Sequence, residues 1–180
     1  GVGSLAREVD AGSPPGHGPT IGVDLFRDML VAARPVHPRL APVQADAARL
    51  PFREGVFGRV MAAFMLHHVR EQWRALAEVH RVLRPDGLLG VVTWGRADPG
   101  GPAWEAWEEC LARAGAPTRD PAPPVAWREA IDTPERLRNL LDDLGFRTRR
   151  AWQEVGEWRW TPATLAEYLG RLGATARRLE

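Results

Sequence analysis

The chain has 180 residues, 44% of them hydrophobic and 26% charged, with a formal net charge of +1. These are ordinary values for one globular domain, and so balanced a chain carries no global field directed at nucleic acid or an anionic membrane. Cys110 is the one cysteine, which excludes a disulfide framework and a thiolate metal cluster.

There is no apolar run of about 18 residues and no secretory signal, so a soluble cytoplasmic protein is the expectation. Every basic residue is Arg, a bias of GC-rich genomes rather than a recognition device. The first residue is Gly1, not Met, as expected of a processed start or a fragment.

Strand-like and helix-like periodicities alternate along the chain, the pattern of an α/β domain with a parallel sheet. Gly1-Val2-Gly3 leads directly into a short helix start, Ser4 to Val9. A turn-rich loop, Ala11 to Pro19, precedes an apolar run, Thr20 to Leu25, that contains Asp24. Phe26 to Ala33 reads as helix, closed by Pro35 and Pro38.

Ala41 to Ala45 reads as a weaker strand and Arg59 to Phe64 as a stronger one, joined by a polar connector that includes LPF. Trp73, Leu76, Ala77, His80 and Leu83 recur at helical spacing, with His80 read as a core histidine, and Pro85-Asp86-Gly87 stops that helix. Leu88 to Trp94 is a continuous apolar run, as in a strand covered on both faces.

The segment from Arg96 to Ala130 breaks the alternation and carries Trp104, Trp107 and Trp127 around one helix, Pro102 to Ala114. Thr133-Pro134 and Thr161-Pro162 each place a capping residue before Pro at the first helical position. Between those two helices, Phe146 to Trp160 reads as a long strand or hairpin with Trp158 and Trp160 on one side, packed into the core.

Three features fall at the ends of successive strands, where a doubly wound sheet binds its ligands. Gly1-Val2-Gly3 would let backbone approach a ligand at a helix N-terminus that favours a carboxylate or phosphate; an ordinary loop glycine pair would read the same way. Asp24 stands about 20 residues further on, where a carboxylate accepts hydrogen bonds from both ribose hydroxyls; capping the following helix is the other role open to it. Asp46-Ala47 combines an acid with an exposed backbone N–H, a pair able to read the exocyclic amine and ring nitrogen of adenine, and a turn aspartate is the competitor.

The runs GVDLFRDMLVAAR, QADAARLPFREGVFGRVMAAFMLHHV and LAEVHRVLRPDGLLGVVTW together resemble the type 11 class I methyltransferases. That group includes the ubiquinone and menaquinone biosynthesis methyltransferases. The resemblance extends from Gly1 to about Trp94 with the motifs in order, and more loosely through the final helix. It implies a Rossmann-like α/β sheet of order 3-2-1-4-5-7-6, here expected to lack its first and last strands. It also implies S-adenosyl-L-methionine as cofactor and a small-molecule methyl acceptor, with no nucleic acid or membrane partner. One domain is expected over residues 1–180, divided into a cofactor half (1–95), a substrate-side insertion (96–132) and a C-terminal helix, strand and helix (133–180).

Position by position, the resemblance gives Gly1, Val2 and Gly3 to the methionine loop and Asp24 to the ribose, with Leu25 near the adenine. Asp46 and Ala47 match the adenine-reading pair. Ala63 and Phe64 match residues whose backbone touches the methionine. The chain departs from the pattern where Val2 replaces a common Thr or Ser, Gly58 a common Asp, and Asp86 the common Gly of the turn before the fifth strand.

His67 and His68 are the available proton acceptors, either as general bases or as residues that shape the pocket. Trp94, Trp104 and Trp107 would form an apolar lid over a substrate, or else cover the sheet edge. No spacing suggests a metal site. A nicotinamide-dependent oxidoreductase is disfavoured because no pyrophosphate-binding G-x-G-x-x-G is present. A non-catalytic fragment or degenerate relative stays open, because without its first strand a central sheet edge would lose hydrogen bonds. On that ground residues 1–180 alone are expected to bind cofactor poorly or be unstable.

Overall fold

A computed structural model describes residues 3–12, 18–95, 102–115, 131–156 and 159–171. Two compact units emerge, one formed by residues 1–93 and 138–149 and the other by residues 94–137 and 150–180.

In the first unit the elements run α1 (Ser4–Ala11), β1 (Ile21–Asp24), α2 (Arg27–Val36), β2 (Ala41–Gln44), β3 (Phe57–Ala63), α3 (Gln72–Val82) and β4 (Leu83–Val92). β1 pairs with β2 in parallel, with Asp24 opposite Gln44, and β3 pairs with β4 in parallel, with Ala63 opposite Val92. Among the described residues these are two separate two-stranded ladders: β1 and β3 are not hydrogen-bonded to each other. The sheet, expected to lack its first strand, is present as two separate ladders. The neighbouring strands 2-3 and 4-5 of the family order are paired as anticipated, while the second and fourth strands do not close on each other. Direct closure would require two strands designed to flank a third to accept each other's register.

The core of this unit is the face of α3 formed by Gln72, Ala75, Leu76, Val79 and Val82, all buried, together with Leu30 and Ala33 of α2. This corrects the stripe read from sequence. Trp73 is 52% exposed and His80 lies at the surface, where its ring meets that of Phe146 edge-on at 4.9 Å. Large aromatic rings dominate a periodicity count, but the smaller residues Ala75 and Val79 permit the close approach of helix to strand that fixes the buried side.

Pro35 is a second correction: α2 continues through it to Val36. In the last turn, the missing N–H removes one bond near the helix end, and the chain stays anchored because His37 N–H donates to Ala33 O at 2.9 Å. β3 and β4 begin earlier than expected, at Phe57 and Leu83, with a register irregularity between Phe57 and Arg59. Within it Asp86 adopts φ 63, a left-handed conformation that Asp tolerates better than most residues. Asp86 thus fits a left-handed position at which the resemblance implies Gly.

The second unit contains α4 (Pro102–Arg113), the start of α5 (Pro134–Asp143), whose second half lies in the first unit, and α6 (Pro162–Arg171). Among the described residues, Leu111 and Ile131 are its buried apolar side chains. Both Thr-Pro helix starts form as expected. Thr133 Oγ1 accepts from Arg136 N–H at 3.3 Å, and Thr161 Oγ1 accepts from Thr164 N–H at 3.2 Å. Gly145 ends α5 at φ 85.

The strand expected over Phe146–Trp160 does not form among the described residues. An apolar alternation makes a strand only where a sheet edge is offered to it. Trp158 lies outside the described residues. Trp160 is 40% exposed and stacks on Tyr168 at 4.9 Å rather than filling a core.

Candidate functional site

The acids singled out in the sequence lie at the C-terminal ends of two adjacent, in-register strands. Asp24 is the last residue of β1 and Asp46 follows β2 by two residues. Each carboxylate is fixed by the loop that follows it. Asp24 Oδ1 accepts from Phe26 N–H at 2.9 Å and Asp46 Oδ1 accepts from Ala48 N–H at 2.9 Å. Both are tight turns closed by the aspartate's own side chain. Neither aspartate caps a helix, since α2 begins with Phe26 as its N-cap and no side-chain cap bond.

Partial burial works against the ionisation of Asp24. The backbone N–H groups of Phe26 and Leu25 donate to the carboxylate and favour its charged form. The group is thus an ionised acceptor at neutral pH. Beside it Leu25 and Phe26 expose apolar surface, 56% and 66% respectively. Gln44 Nε2 donates to Leu25 O at 3.0 Å, tying the end of β1 to β2. Gln44 was not singled out from sequence; its alternate, outward-facing register position in β2 was the available signal.

Gly3 is the N-cap of α1 at φ 79. A Cβ placed there would lie 3.1 Å from Ala33 Cβ, so α1 begins where only glycine fits against α2. Gly1 and Val2 lie outside the described residues. α1 is further held by a buried group: His37 Nε2 lies 3.0 Å from Asp10 Oδ2, though poorly aligned for a hydrogen bond, and Thr20 Oγ1 donates to Asp10 Oδ1.

Ala63 and Phe64 occupy the end of the other strand pair. Phe64 has φ 50, unusual for a bulky residue, while its N–H donates to Val92 O at 2.7 Å. Strain of this kind is concentrated at functional positions. His67 and His68 follow in a 3₁₀ turn, Leu66–His68, with ring centroids 3.9 Å apart. Buried Gln72 donates from Nε2 to Leu66 O at 3.0 Å and anchors that turn to α3.

Trp94, Trp104 and Trp107 belong to the second unit. Trp94 is 64% exposed, and Trp107 is half-buried with its Nε1 shielded and lacking a hydrogen-bond partner in the structure. The side chain of Trp104 and all of Trp127 lie outside the described residues. No group of His, Cys, Asp and Glu able to hold a metal occurs among the described residues.

An ionised acceptor flanked by apolar surface suits a ribose diol carrying a flat base. Comparison with known proteins agrees: residues 1–91 match the family described as "Methyltransferase domain". The chain belongs to the type 11 class I S-adenosylmethionine-dependent methyltransferases.

Among curated relatives of this methyltransferase domain, the demethylmenaquinone methyltransferase of Streptomyces avermitilis is 29% identical over 154 residues, covering 83% of this chain and 56% of that protein. The demethylmenaquinone methyltransferase of Beutenbergia cavernae is 31% identical over 164 residues, covering 86% and 65%. The chain therefore spans between about half and two thirds of these relatives' lengths. Among solved structures, a SAM-dependent methyltransferase of Aquifex aeolicus superposes with TM-score 0.58 at 18% identity, covering 83% of this chain and 71% of that one. One from Thermotoga maritima gives 0.53 at 23%, covering 82% and 61%. These two likenesses establish the Rossmann-like methyltransferase fold. S-adenosylmethionine is the cofactor that goes with this family.

Proposed function

We propose that the protein transfers a methyl group from S-adenosylmethionine to a small-molecule acceptor, in a cytoplasmic setting, and that the acceptor is a demethylated quinone. The observation that carries the cofactor part is the pair of loop-fixed acids, Asp24 and Asp46, at the ends of the paired strands β1 and β2. The quinone part rests on the two demethylmenaquinone methyltransferase relatives.

When bound, the cofactor supplies a sulfonium methyl that is electrophilic without further activation. The protein's contribution is to orient and to exclude water, and alignment of this kind supplies roughly 7–11 kcal/mol in well-ordered systems. Asp24 accepts from the ribose hydroxyls. Asp46 and the Ala47 N–H face the base, with Leu25 packing near it. Gly1, Val2 and Gly3 wrap the methionine end, and the backbone of Ala63 and Phe64 lines it. His67 and His68 shape the acceptor side. In the second unit Trp94 exposes apolar surface of a kind that suits a flat substrate.

Calorimetric titration with S-adenosylhomocysteine and with NAD tests the cofactor assignment. Binding of the first in preference to the second is expected, and the reverse would replace the assignment with a nicotinamide enzyme. Methyl incorporation into a demethylated naphthoquinone tests the acceptor. One observation favours a second reading, a methyltransferase fold that does not bind cofactor unaided: the β1–β2 and β3–β4 ladders are not joined among the described residues. The same titration on residues 1–180 separates the two, since absence of binding supports the second.

A further inference from the structure

The connector that follows Asp46 is held from behind by two charged side chains of α3. The loop begins as a turn in which Arg49 N–H donates to Asp46 O at 2.9 Å. Immediately beyond it, Glu78 Oε2 accepts from Leu50 N–H at 2.8 Å. Arg81 donates from Nη2 to Leu50 O at 3.1 Å and from Nη1 to Phe52 O at 2.8 Å. The two side chains also grip each other, Nε to Oε1 and Nη2 to Oε2, both at 2.7 Å. Gly55 N–H closes the far end on Arg81 O at 3.0 Å, and the Phe52 ring meets Phe57 of β3 edge-on at 4.9 Å.

An exposed ion pair three residues apart on a helix adds little by itself. This pair differs because each member is also bonded to the loop's backbone. The planar guanidinium satisfies two carbonyls and a carboxylate together, which an ammonium cannot do with the same geometry. Both N–H and C=O of Leu50 are thereby fixed, only four positions beyond Asp46.

We propose that Glu78 and Arg81 act as positioning residues for nucleobase recognition: they clamp residues 46–52 so that the Asp46 carboxylate and Ala47 N–H are presented to the adenine in one arrangement. The inference rests on the cofactor reading given above and assigns its base selectivity to a device outside the binding loop. Charge-assisted bonds to backbone keep the loop from relaxing around a different base. Loss of the clamp therefore costs discrimination between bases as well as affinity. A purely structural pair would lower stability and leave the preference between bases untouched.

The experiment compares binding of S-adenosylhomocysteine with that of its deaminated analogue, in which hypoxanthine replaces adenine, by calorimetry. The unaltered protein is expected to prefer the adenine form by about tenfold, the scale of one well-formed hydrogen bond. In Glu78→Gln and Arg81→Lys the preference should shrink to about threefold or less while far-ultraviolet circular dichroism stays unchanged. The charge-reversed double variant, Glu78→Arg with Arg81→Glu, should not restore it, because the Leu50 N–H and the two carbonyls would then face the wrong partners. An undiminished preference in the single variants, or full recovery in the reversed pair, would overturn the clamp.

Should the variants fail to fold, amide hydrogen exchange of the unaltered protein decides. Leu50 N–H must be protected, and more so with S-adenosylhomocysteine bound; free exchange in both states would overturn the proposal. Absence of S-adenosylhomocysteine binding by the unaltered protein is a different result. It overturns the cofactor reading, and the clamp's role in base recognition with it.

Discussion

Gly3→Ala probes the point at which α1 starts, and the structure allows its cost to be worked out in two parts. At φ 79 an L-residue with a Cβ loses roughly 1–2 kcal/mol relative to glycine. The new methyl would also lie 3.1 Å from Ala33 Cβ, and Ala33 is 1% exposed and carried on α2. The usual carbon separation is about 3.5–4.0 Å, and forcing atoms into a packed site typically costs about 1 kcal/mol or more. Together they predict a loss of about 2–3 kcal/mol. Urea titration measures it. With a slope of about 1–3 kcal/mol per molar, the midpoint should fall by about 1 M. Adding Ala33→Gly removes the contact but leaves the backbone strain, so only part of the loss should return, less about 0.5–1 kcal/mol for glycine inside a helix. An unchanged midpoint in the single variant would refute the reasoning. Complete recovery in the double variant would show that contact alone, not the left-handed backbone, requires glycine there.

Asp24→Asn keeps an oxygen for the Phe26 N–H but removes the charge. Affinity for S-adenosylhomocysteine should fall by about 10- to 100-fold with an unfolding midpoint close to the parent's, and unaltered affinity would dissociate Asp24 from the ribose. Leu76→Ala empties a site with no solvent exposure on α3 and should cost about 2–5 kcal/mol in denaturant unfolding; a loss under about 1 kcal/mol would mean that α3 is not the core helix. Acid sensitivity follows from the Glu78 carboxyl. The hydrogen bond from Arg81, opposed by burial, holds Glu78 below its ordinary 4.5. A folded-state value below the unfolded one means that the stabilisation is fully present above the unfolded value. It is lost as pH falls through the lower, folded one. Stability should therefore decline below about pH 4, and Glu78→Gln should make that decline shallower in pH-dependent urea titrations; an identical acid profile would remove Glu78 from the account.

Much of this protein was legible in local chemistry. Asp24, Asp46, the Thr-Pro helix starts at Thr133 and Thr161, and the Gly145 stop each depend on a few neighbouring residues, so their spacing in sequence carries over directly into turns and caps. The same holds for Gly3 at the head of α1 and for Asp86, whose short polar side chain suits the left-handed turn it occupies.

What the sequence could not settle is whatever depends on a partner distant along the chain. Glu78 and Arg81 were not singled out from sequence, because the carbonyls and N–H they hold belong to Leu50 and Phe52, 28 to 31 residues earlier. Trp73 and His80 read as core by periodicity, yet the buried side of α3 was decided by which of its faces is small enough to approach β4. Phe146 to Trp160 carried a strand's alternation and found no sheet edge among the described residues. The strands themselves were written in the order of their apolar runs. Tertiary structure alone decided that the two expected pairs, β1 with β2 and β3 with β4, stay unjoined among the described residues, because a strand's hydrogen bonds are made to another segment and have no counterpart in its own sequence.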